Sequence, residues 1–389
     1  MDQKHKILLV FGTRPEAIKM APLVLRLREC EDFEAVCCVT GQHREMLDAM
    51  LEVFSLTPDY DLNIMEPNQT LATITSKTLL GMDRVLQEVR PEMVLVHGDT
   101  STAMASALSS FYRQIPIGHV EAGLRTGDLS SPFPEEMNRV VIDDIAAAAF
   151  SPTEANAENL RREGAPGEIF VTGNTVIDAM RYTVRDDYRF STELLNKLDF
   201  LKKKIIVMTC HRRENIGSNM ENIFHAVRDT ILSHPEAEMV FPVHLSPVVR
   251  ECAHRILADV PGIHLIDPLD ADEMHNLMAR CSFVMTDSGG LQEEAPALGK
   301  PVLVLRRETE RPEAVHAGTV RLTGVEYDAI RADAHTLLTD EQTYNSMARA
   351  VNPYGDGRAC ERIVQALRWY FDRSLPRPKD FCPDNGAEK

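Results

Sequence analysis

Length, composition and charge already limit what this chain can be. Its 389 residues exceed one ordinary hydrophobic core, so two domains are expected. Acidic residues outnumber basic ones by 59 to 42, and the net charge of −17 disfavours nucleic-acid binding, because a polyanion is repelled at long range. The chain shows no secretory pattern, no apolar stretch near the ~20 residues of a membrane span, and eight cysteines without a C-x-x-C pair. We therefore expect a cytoplasmic protein with reduced thiols and no membrane partner.

Short apolar runs alternate with amphipathic stretches through the first half of the chain. Strands are predicted at Lys6–Phe11, Ala35–Thr40, Met93–His97, Ile117–Glu121, Ala147–Pro152 and Ile169–Gly173. Helices are predicted between them, at Pro15–Glu29, from Arg44 onward and at Thr102–Tyr112. Strict alternation of this kind indicates a doubly wound parallel sheet.

The same alternation restarts after the polar stretch Arg181–Lys203, which we interpret as the connection between two domains. Further strands are predicted at Lys204–Cys210, Met239–Pro242, Ile263–Ile266, Phe283–Asp287 and Pro301–Leu305, with helices at Asn222–Ser233 and Pro247–Leu257. The fold class is therefore α/β, with two Rossmann-like doubly wound domains over residues 1–175 and 176–367. A C-terminal helix over 368–389 is expected to join the first domain, and the Pro-rich tail Ser374–Lys389 is expected to fray.

Charged residues follow the first predicted strand, at the edge where open parallel sheets bind ligands. The segment Gly12–Lys19 (GTRPEAIK) places Arg14 and Lys19 near the N-terminus of a helix. Such a helix end favours an anion, because its backbone N–H groups and dipole are positive. A plain loop with solvated charges is the alternative.

Carboxylates follow the next strands. Asp99 lies in HGDTST after the third strand, Glu121 ends the fourth, and Glu135 opens a helix in the Pro-rich segment Ser131–Arg139. One such residue alone is often a helix cap. Several carboxylates that converge on one face are harder to explain as structure, and in a cleft their pKa values split so that they can act as acid and base.

The second half carries anion-binding features. The segment His211–Asn215 (HRREN) follows a strand, and there functional and structural interpretations are balanced. Ser288, Gly289 and Gly290 follow another strand and precede a helix, which predicts a backbone cradle for an anion. Arg306 and the TERPE segment add cations.

Two nucleotide-binding motifs are missing from the sequence. No G-x-G-x-x-G follows a strand, and no Walker A motif is present. His and Cys residues lack zinc spacing. We therefore expect no NAD, FAD, metal or other cofactor.

The chain resembles the non-hydrolysing UDP-N-acetylglucosamine 2-epimerases, from about Lys6 to about Leu367. The motifs that carry the resemblance, in family order, are GTRPEAIK, TGQHREML, HGDT, EAGLRT, PEEMNR, HRREN, DSGGLQEEAP, TERPEAV and NPYGDG. The resemblance implies a GT-B arrangement with the active site in the interdomain cleft, a homodimer, no added cofactor, and a role in cell-envelope polysaccharide biosynthesis. Relatives often carry polar and aromatic residues near the uracil, where this chain has Leu269, Ala271 and Met274. At a further position, where this chain has Ser246, Asn is commoner in relatives.

The resemblance also implies roles for individual residues. The catalytic group would be Asp99, Glu121, Glu135 and His211, supported by Lys19 and Arg139. The uridine diphosphate would be held by Arg14, His211, Ser288, Gly289, Gly290, Glu294 and Arg311. A regulatory UDP-N-acetylglucosamine site would use Gln42, His43, Gln69, Glu136, Arg212 and His244.

The chemistry of the implied substrate favours one mechanism. Carbon 2 of an N-acetylhexosamine has no neighbouring carbonyl to acidify its proton, so an enzyme must oxidise a neighbouring alcohol or expel the anomeric leaving group. The missing dinucleotide motif favours expulsion of UDP and its re-addition to a bound 2-acetamidoglucal. The alternatives are a hydrolysing 2-epimerase that releases N-acetylmannosamine and UDP, a GT-B glycosyltransferase, and a silent UDP-sugar-binding module. A modified diacetamido sugar would fit the same motifs.

Overall fold

The computed structural model of this protein describes residues 4–42, 44–66 and 69–383. The chain divides into two compact units. The first unit comprises Met1–Tyr182 and Tyr354–Cys382, and the second comprises Thr183–Pro353 with Pro383–Lys389. The expected bounds were 1–175 and 176–367, so the first unit extends further at its end and regains a longer piece of the C-terminal chain.

The first unit is built around one parallel sheet. Its strands are β1 (His5–Phe11), β2 (Phe33–Val39), β3 (Tyr60–Asp61), β4 (Met93–His97), β5 (Ile117–Val120), β6 (Ala148–Ser151) and β7 (Glu168–Val171). Its helices are α1 (Arg14–Arg28), α2 (Arg44–Val53), α3 (Leu71–Val89), α4 (Ser101–Tyr112), α5 (Glu135–Ile145), α6 (Glu154–Glu163) and α7 (Thr175–Thr183). In the described residues the strand order is β3-β2-β1-β4-β5-β6-β7.

The second unit repeats the same plan. Its strands are β8 (Lys204–Thr209), β9 (Ala237–Pro242), β10 (Ile263–Ile266), β11 (Phe283–Thr286), β12 (Val302–Val304) and β13 (Val320–Leu322). Its helices are α8 (Ser218–Ser233), α9 (Pro247–Leu257), α10 (Ala271–Arg280), α11 (Leu291–Ala297), α12 (Pro312–Ala317), α13 (Tyr327–Thr339) and α14 (Glu341–Ala348). Over the described part of this unit the strand order is β10-β9-β8-β11-β12-β13, again all parallel.

Both sheets are buried on their two faces, which is why their strands read as continuous apolar runs. Leu8, Val10, Val94 and Val96 belong to one hydrophobic cluster of the first unit and are fully buried. Phe224, Phe241 and Phe283 are the largest side chains of the corresponding cluster in the second unit. The predicted α/β class with two parallel-sheet domains is therefore confirmed.

The last helix, α15 (Ala359–Phe371), belongs to the first unit. It begins well before the expected residue 368, because a carboxylate from α7 caps it. Asp178 accepts hydrogen bonds from the backbone N–H groups of Ala359 and Cys360, at 3.0 and 2.9 Å. These two bonds satisfy N–H groups that have no partner inside a helix.

The expectation that the tail frays is wrong for the described part of the tail. The N–H of Phe381 donates to the carbonyl of Val171 at 2.7 Å, and the N–H of Val171 donates to Asp380 at 2.8 Å. The Phe381 side chain is buried and lies under the guanidinium of Arg362. Proline content indicated loss of structure, but the edge of strand β7 offers hydrogen-bonding groups that an extended segment satisfies.

Candidate active site

Several predicted site residues directly follow two neighbouring strands at the centre of each sheet. In the first sheet β1 and β4 are neighbours although they are not consecutive in sequence, and in the second sheet the same is true of β8 and β11. Arg14 and Lys19 follow β1, Asp99 follows β4, His211 follows β8 and Ser288 follows β11. Open parallel sheets bind ligands outside the strand ends at this topological switch point.

Glu121 lies directly after β5 and contacts two basic side chains. Its Oε2 forms an ion pair with Lys19 Nζ and lies 2.9 Å from His97 Nε2. The carboxylate is nearly enclosed, with 13% of the side chain exposed. Burial alone would raise the pKa of Glu121, but the charges of Lys19 and His97 together hold that pKa well below its usual range. Glu121 is therefore present as a carboxylate at neutral pH.

The backbone of Glu121 is also unusual. Its φ of +67° lies in the left-handed region, which non-glycine residues rarely adopt. Its N–H donates to the carbonyl of Phe150 at 3.0 Å, which ties the residue to the neighbouring strand β6. Such a conformation costs free energy and persists where the surroundings determine it, most often at functional sites.

Asp99 has its own cation. Arg139 Nη2 on α5 forms an ion pair with Asp99 Oδ2, while Arg139 Nη1 donates to Glu136 Oε2 at 2.9 Å. Asn138 donates to the backbone carbonyl of Asp99 at 2.8 Å, so the same helix fixes both ends of the residue. The Asp99 side chain is 31% exposed, which leaves one side accessible to a ligand.

Glu135 is the least constrained of the predicted carboxylates. It is the first residue of α5 and is half-buried. Within the described residues, no hydrogen bond joins its carboxylate to Asp99 or Glu121. The structure therefore pairs Asp99 with Arg139 and Glu121 with Lys19. Glu135 lies on the same helix as Arg139 but is not part of either ion pair.

A buried glutamate that we did not predict shapes the Arg14 loop. Glu16 Oε2 accepts hydrogen bonds from the N–H groups of Gly12 and Thr13, at 3.0 and 2.8 Å. Its Oε1 accepts from the Thr100 hydroxyl at 2.7 Å, which connects the loop after β1 to the loop that carries Asp99. Burial is the largest influence on the Glu16 carboxyl and raises its pKa. The signal was present in the sequence, because Thr13 to Glu16 matches the S/T-x-x-E capping box.

A second unpredicted network contacts the loops that carry Asp99 and Glu121. His119 on β5 is fully buried between Asp143 Oδ1, at 2.6 Å, and the carbonyl of Gly98, at 2.7 Å. Asp143 also accepts from Arg125 at 2.8 Å. Burial opposes ionisation, but the charges of His119 and Arg125 lower the pKa of Asp143. Gly98 precedes Asp99 and Arg125 follows Glu121, so one ion cluster contacts both loops.

In the second unit, one carboxylate organises the segment that carries His211. Asp287 is fully buried at the end of β11. Its Oδ2 accepts from the backbone N–H groups of His211 and Arg212, both at 2.8 Å, and from Asn215 Nδ2 at 3.0 Å. Asp287 directly precedes Ser288, so it joins the HRREN segment to the predicted anion cradle.

The cradle leaves little room beside Gly289. A Cβ atom on Gly289 would lie 3.0 Å from Glu310 Oε1 and 3.5 Å from the Arg311 guanidinium carbon. Arg311 is oriented by Glu293, whose Oε1 accepts from Arg311 Nε at 2.5 Å. Any side chain on Gly289 would therefore push against groups beside Arg311, which is one of the residues predicted to bind diphosphate.

Glu310 contacts three arginine side chains beside this cradle. It contacts Arg212 Nη2 at 3.1 Å, forms an ion pair with Arg306, and lies 3.9 Å from Arg311 Nη1. Burial would raise the pKa of Glu310, but its backbone hydrogen bond and these arginines lower it. Glu214 and Glu293 pair with Arg306 and Arg311 as well, so carboxylates hold the arginine side chains in place beside the predicted cradle.

Glu294, the remaining predicted ligand of the nucleotide, is held by a relay of polar side chains. Its Oε2 lies 3.4 Å from His275 Nε2, and His275 Nδ1 lies 2.7 Å from the Thr183 hydroxyl. Leu269, Ala271 and Met274 lie at the start of α10, and Leu269 is buried. His275 and Thr183 were missed because a lone His or Thr in sequence carries no functional signal.

The residues predicted for regulation fall into two groups. In the first unit Gln69 Nε2 donates to the Gln42 carbonyl at 3.3 Å, and Glu136 is buried with bonds to the N–H groups of Thr126 and Gly127. In the second unit the rings of His211 and His244 stack at 5.3 Å, next to Arg212. His43 lies outside the described residues.

The described residues contain neither a candidate metal site nor a candidate membrane-spanning helix. No group of three or more His, Cys, Asp or Glu side chains in residues 4–42, 44–66 and 69–383 has the geometry to hold a metal ion. Among those same residues, none of the helices combines the length and apolar character that a bilayer crossing requires.

Comparison with known proteins identifies the family of this chain. Residues 25–368 match the family model of UDP-N-acetylglucosamine 2-epimerase. The UDP-N-acetylglucosamine 2-epimerase of Escherichia coli K12 is 54% identical over 370 residues, which cover 93% of this chain and 98% of the relative. Parallel-sheet architecture and strand-end carboxylates thus occur here in a chain with the sequence of an epimerase.

Solved structures give the same result. The Staphylococcus aureus MnaA structure with UDP has a TM-score of 0.87 and 48% identity, and covers 97% of this chain and 100% of its own. The Neisseria meningitidis UDP-GlcNAc 2-epimerase bound to UDP-GlcNAc has a TM-score of 0.83 and 45% identity, and covers 93% and 99%. The chain is an α/β enzyme of the isomerase class. It belongs to the UDP-N-acetylglucosamine 2-epimerase family.

Proposed function

We propose that this chain reversibly converts UDP-N-acetylglucosamine to UDP-N-acetylmannosamine, by elimination and re-addition of UDP through a bound 2-acetamidoglucal. The observation that carries the proposal is the pair of carboxylates Asp99 and Glu121, each with its own cation, beside the switch point of the first sheet in a chain of this family. Two acid–base groups are what inversion at one carbon requires, because a proton leaves one face and another arrives at the opposite face.

The reaction has two balanced halves. In the first, a carboxylate takes the C2 proton, the C1–oxygen bond breaks, and UDP departs with the bonding electrons. In the second, a carboxylic acid delivers a proton to the other face of C2, and the UDP oxygen bonds again to C1. The ionised state of Glu121 supports a role for it as a base or as an electrostatic partner of the developing charge.

The two units divide the work in this proposal. The first unit supplies Asp99, Glu121 and Glu135, with Lys19 and Arg139 holding the first two. The second supplies the groups for UDP, which are His211, Ser288, Gly289, Gly290, Glu294 and Arg311, and Arg14 of the first unit contributes a further cation. Negative charge grows on the departing phosphate, so these donors act chiefly in the transition state.

Nuclear magnetic resonance of the reaction mixture tests the proposal. When purified enzyme is mixed with UDP-N-acetylglucosamine alone, the proton and phosphorus signals of a second UDP-sugar should appear. The same equilibrium mixture should be reached when the reaction starts from UDP-N-acetylmannosamine. Free N-acetylmannosamine with UDP would instead identify a hydrolysing epimerase. Turnover only with an added acceptor would identify a glycosyltransferase, and an unchanged spectrum would leave only a binding module.

We also propose that the enzyme works in the cytoplasm as a homodimer. Exposed apolar side chains on two adjacent helices support an interface in the first unit, with Leu80, Phe111 and Tyr112 each more than half exposed. The Ser109 hydroxyl donates to the Leu79 carbonyl, which places these side chains close together. Light scattering during size-exclusion chromatography should give twice the mass of 43.6 kDa, and a Leu80→Glu variant should elute as a monomer.

A regulatory role for UDP-N-acetylglucosamine is a further part of the proposal. Gln42, His43, Gln69 and Glu136 of the first unit and Arg212 and His244 of the second would form that site. Initial rates in the direction from UDP-N-acetylmannosamine should then rise when a small amount of UDP-N-acetylglucosamine is added. A Gln69→Ala variant should lose this activation and keep its unactivated rate, whereas full activation of that variant would remove Gln69 from the site.

A further inference from the structure

Asp287 has one oxygen that its hydrogen bonds do not explain. Oδ2 accepts three of them, from His211, Arg212 and Asn215. Oδ1 is fully buried and lies 3.9 Å from His211 Nε2, and the weakly donating thiol of Cys210 is hydrogen-bonded to the same carboxylate. A buried carboxylate oxygen without a strong donor is costly, so its retention calls for a physical reason.

Three charged or titratable groups of the described structure act on the His211 ring, namely Asp287, His244 and Arg212, and Asp287 is the one carboxylate among these three. Arg212 lies on the same segment, and His244 stacks on the ring from the segment that follows β9. The pKa of His211 is lowered overall: burial is the largest cause, the charges of His244 and Arg212 lower it further, and the Asp287 charge opposes them. Cys210 supplies no charge, because burial and the nearby Asp287 raise the pKa of its thiol well above the usual range.

We propose that Asp287 is a positioning residue for the reaction: Oδ2 fixes the backbone of the His211 segment, and the negative charge at Oδ1 opposes loss of the ring proton, so that His211 can donate a hydrogen bond to the diphosphate. This inference rests on the proposed function for the role of the diphosphate. Asp287 itself touches no substrate group, since its carboxylate is fully buried beneath His211 and Arg212. A protonated imidazole donates from both ring nitrogens and can therefore donate to the departing phosphate. A neutral ring has a single N–H, and it cannot donate to the phosphate when that N–H is on the nitrogen that faces away.

The Asp287→Asn variant tests the inference, because an amide oxygen can still accept the backbone hydrogen bonds while the charge is lost. In the resting enzyme labelled at histidine, with His211→Gln to assign the signal, the pKa of His211 should move to lower pH. The pH below which UDP binds tightly should move in the same direction. Turnover should fall on the order of 10–100-fold at neutral pH and recover partly at lower pH.

Asn215→Ala is the matched control. It removes a hydrogen bond to the same carboxylate and leaves the charge in place, so the His211 titration should stay where it is even if the protein is less stable. A His211 titration that is unchanged in Asp287→Asn would overturn the inference, and so would an equal shift in Asn215→Ala.

Amide hydrogen exchange of the unmodified enzyme gives a test that does not depend on whether Asp287→Asn folds. The N–H groups of His211 and Arg212 should be protected, although they lie in a segment between elements, because Asp287 accepts both. Rapid exchange at both amides would refute the positioning role. The titration, UDP-binding and exchange experiments need no epimerisation, so a failure of the proposed function would leave their results interpretable.

Discussion

At the scale of single residues, the most informative feature is that two of the three carboxylates proposed to be catalytic each have a dedicated cation. Lys19 holds Glu121, and Arg139 holds Asp99. The sequence predicted all four residues because each follows or faces a strand end. It could not predict the pairing, which depends on how α1 and α5 pack against the sheet.

Asp99→Asn should lose about 100-fold or more in kcat, because the amide can neither accept nor deliver a proton at carbon 2. UDP binding should stay close to that of the unmodified enzyme, since the nucleotide groups lie elsewhere in the chain. Steady-state kinetics with calorimetric titration of UDP measures both quantities. Near-normal turnover in this variant would remove Asp99 from the catalytic group.

Lys19→Met should raise the pKa of Glu121, because burial is then opposed by His97 alone. The acidic limb of the pH–rate profile should move to higher pH, and kcat at neutral pH should fall about tenfold or more. Lys77→Met is the matched control, because Lys77 pairs with Glu66, which is 57% exposed. We expect that control to leave both the rate and the pH limb unchanged, and an equal effect in both variants would contradict the prediction.

At the scale of elements, the two catalytic loops share buried supports that connect neighbouring strands. Glu16 connects the loop after β1 to Thr100, and His119 connects β5 to the loop before Asp99. These buried hydrogen bonds connect the loop that carries Asp99 to the loop after β1 and to strand β5. A single sequence hides most of them, because a buried His or Asp is recognised only by its partners, and those partners are distant in the chain.

Asp143→Ala should destabilise the first unit by about 3–5 kcal/mol, because it leaves the buried His119 and Arg125 without their shared counter-ion. The folded-state pKa of Asp143 is lowered, so its contribution is complete above the unfolded value of about 4 and is lost as pH falls through the lower folded value. Urea unfolding at pH 7 and pH 3 should therefore show a large difference from the unmodified protein at pH 7 and a smaller one at pH 3.

Asp83→Ala is the control for that experiment. Asp83 pairs with Arg113 near the surface at 2.6 Å, and its side chain is 48% exposed. Exposed ion pairs contribute about 0–1 kcal/mol, so this variant should unfold almost like the unmodified protein. If the two variants lost equal stability, burial of the Asp143 cluster would not be the source of its effect.

Helix prediction failed in an instructive place. No helix was predicted over Leu71–Val89, yet α3 is the longest helix of the described chain. Its buried residues Ile74, Thr78, Met82 and Val85 follow helical spacing, but threonines and Gly81 weaken the helix propensity. Gly81 packs closely on Leu62, since a Cβ atom there would come within 2.8 Å of the Leu62 side chain, which would have to shift. Tertiary contact decided this element where local propensity did not.

At the scale of the whole molecule, the sequence predicted the two parallel sheets well, because strands buried on both faces read as apolar runs. Most predicted strands lie within a residue or two of the observed ones, and Ile263–Ile266 agrees at both ends. The short strands β3 and β13 were not predicted, since β3 has only two residues and β13 is interrupted by Arg321, whereas β12, equally short, lies in the continuous apolar run Pro301–Leu305. The helix start at Ala359 was missed because Asp178, which determines it, lies far away in the sequence.

In the proposed reaction the carbon–oxygen bond to UDP breaks and re-forms while a proton is exchanged at carbon 2. Proton NMR of the enzyme with UDP-N-acetylglucosamine in deuterated water measures that exchange. Deuterium should enter carbon 2 of the UDP-N-acetylmannosamine that forms, and then of the UDP-N-acetylglucosamine that returns, with UDP still attached. Epimer formation with the original proton retained at carbon 2, or release of free sugar in step with turnover, would contradict the proposed reaction.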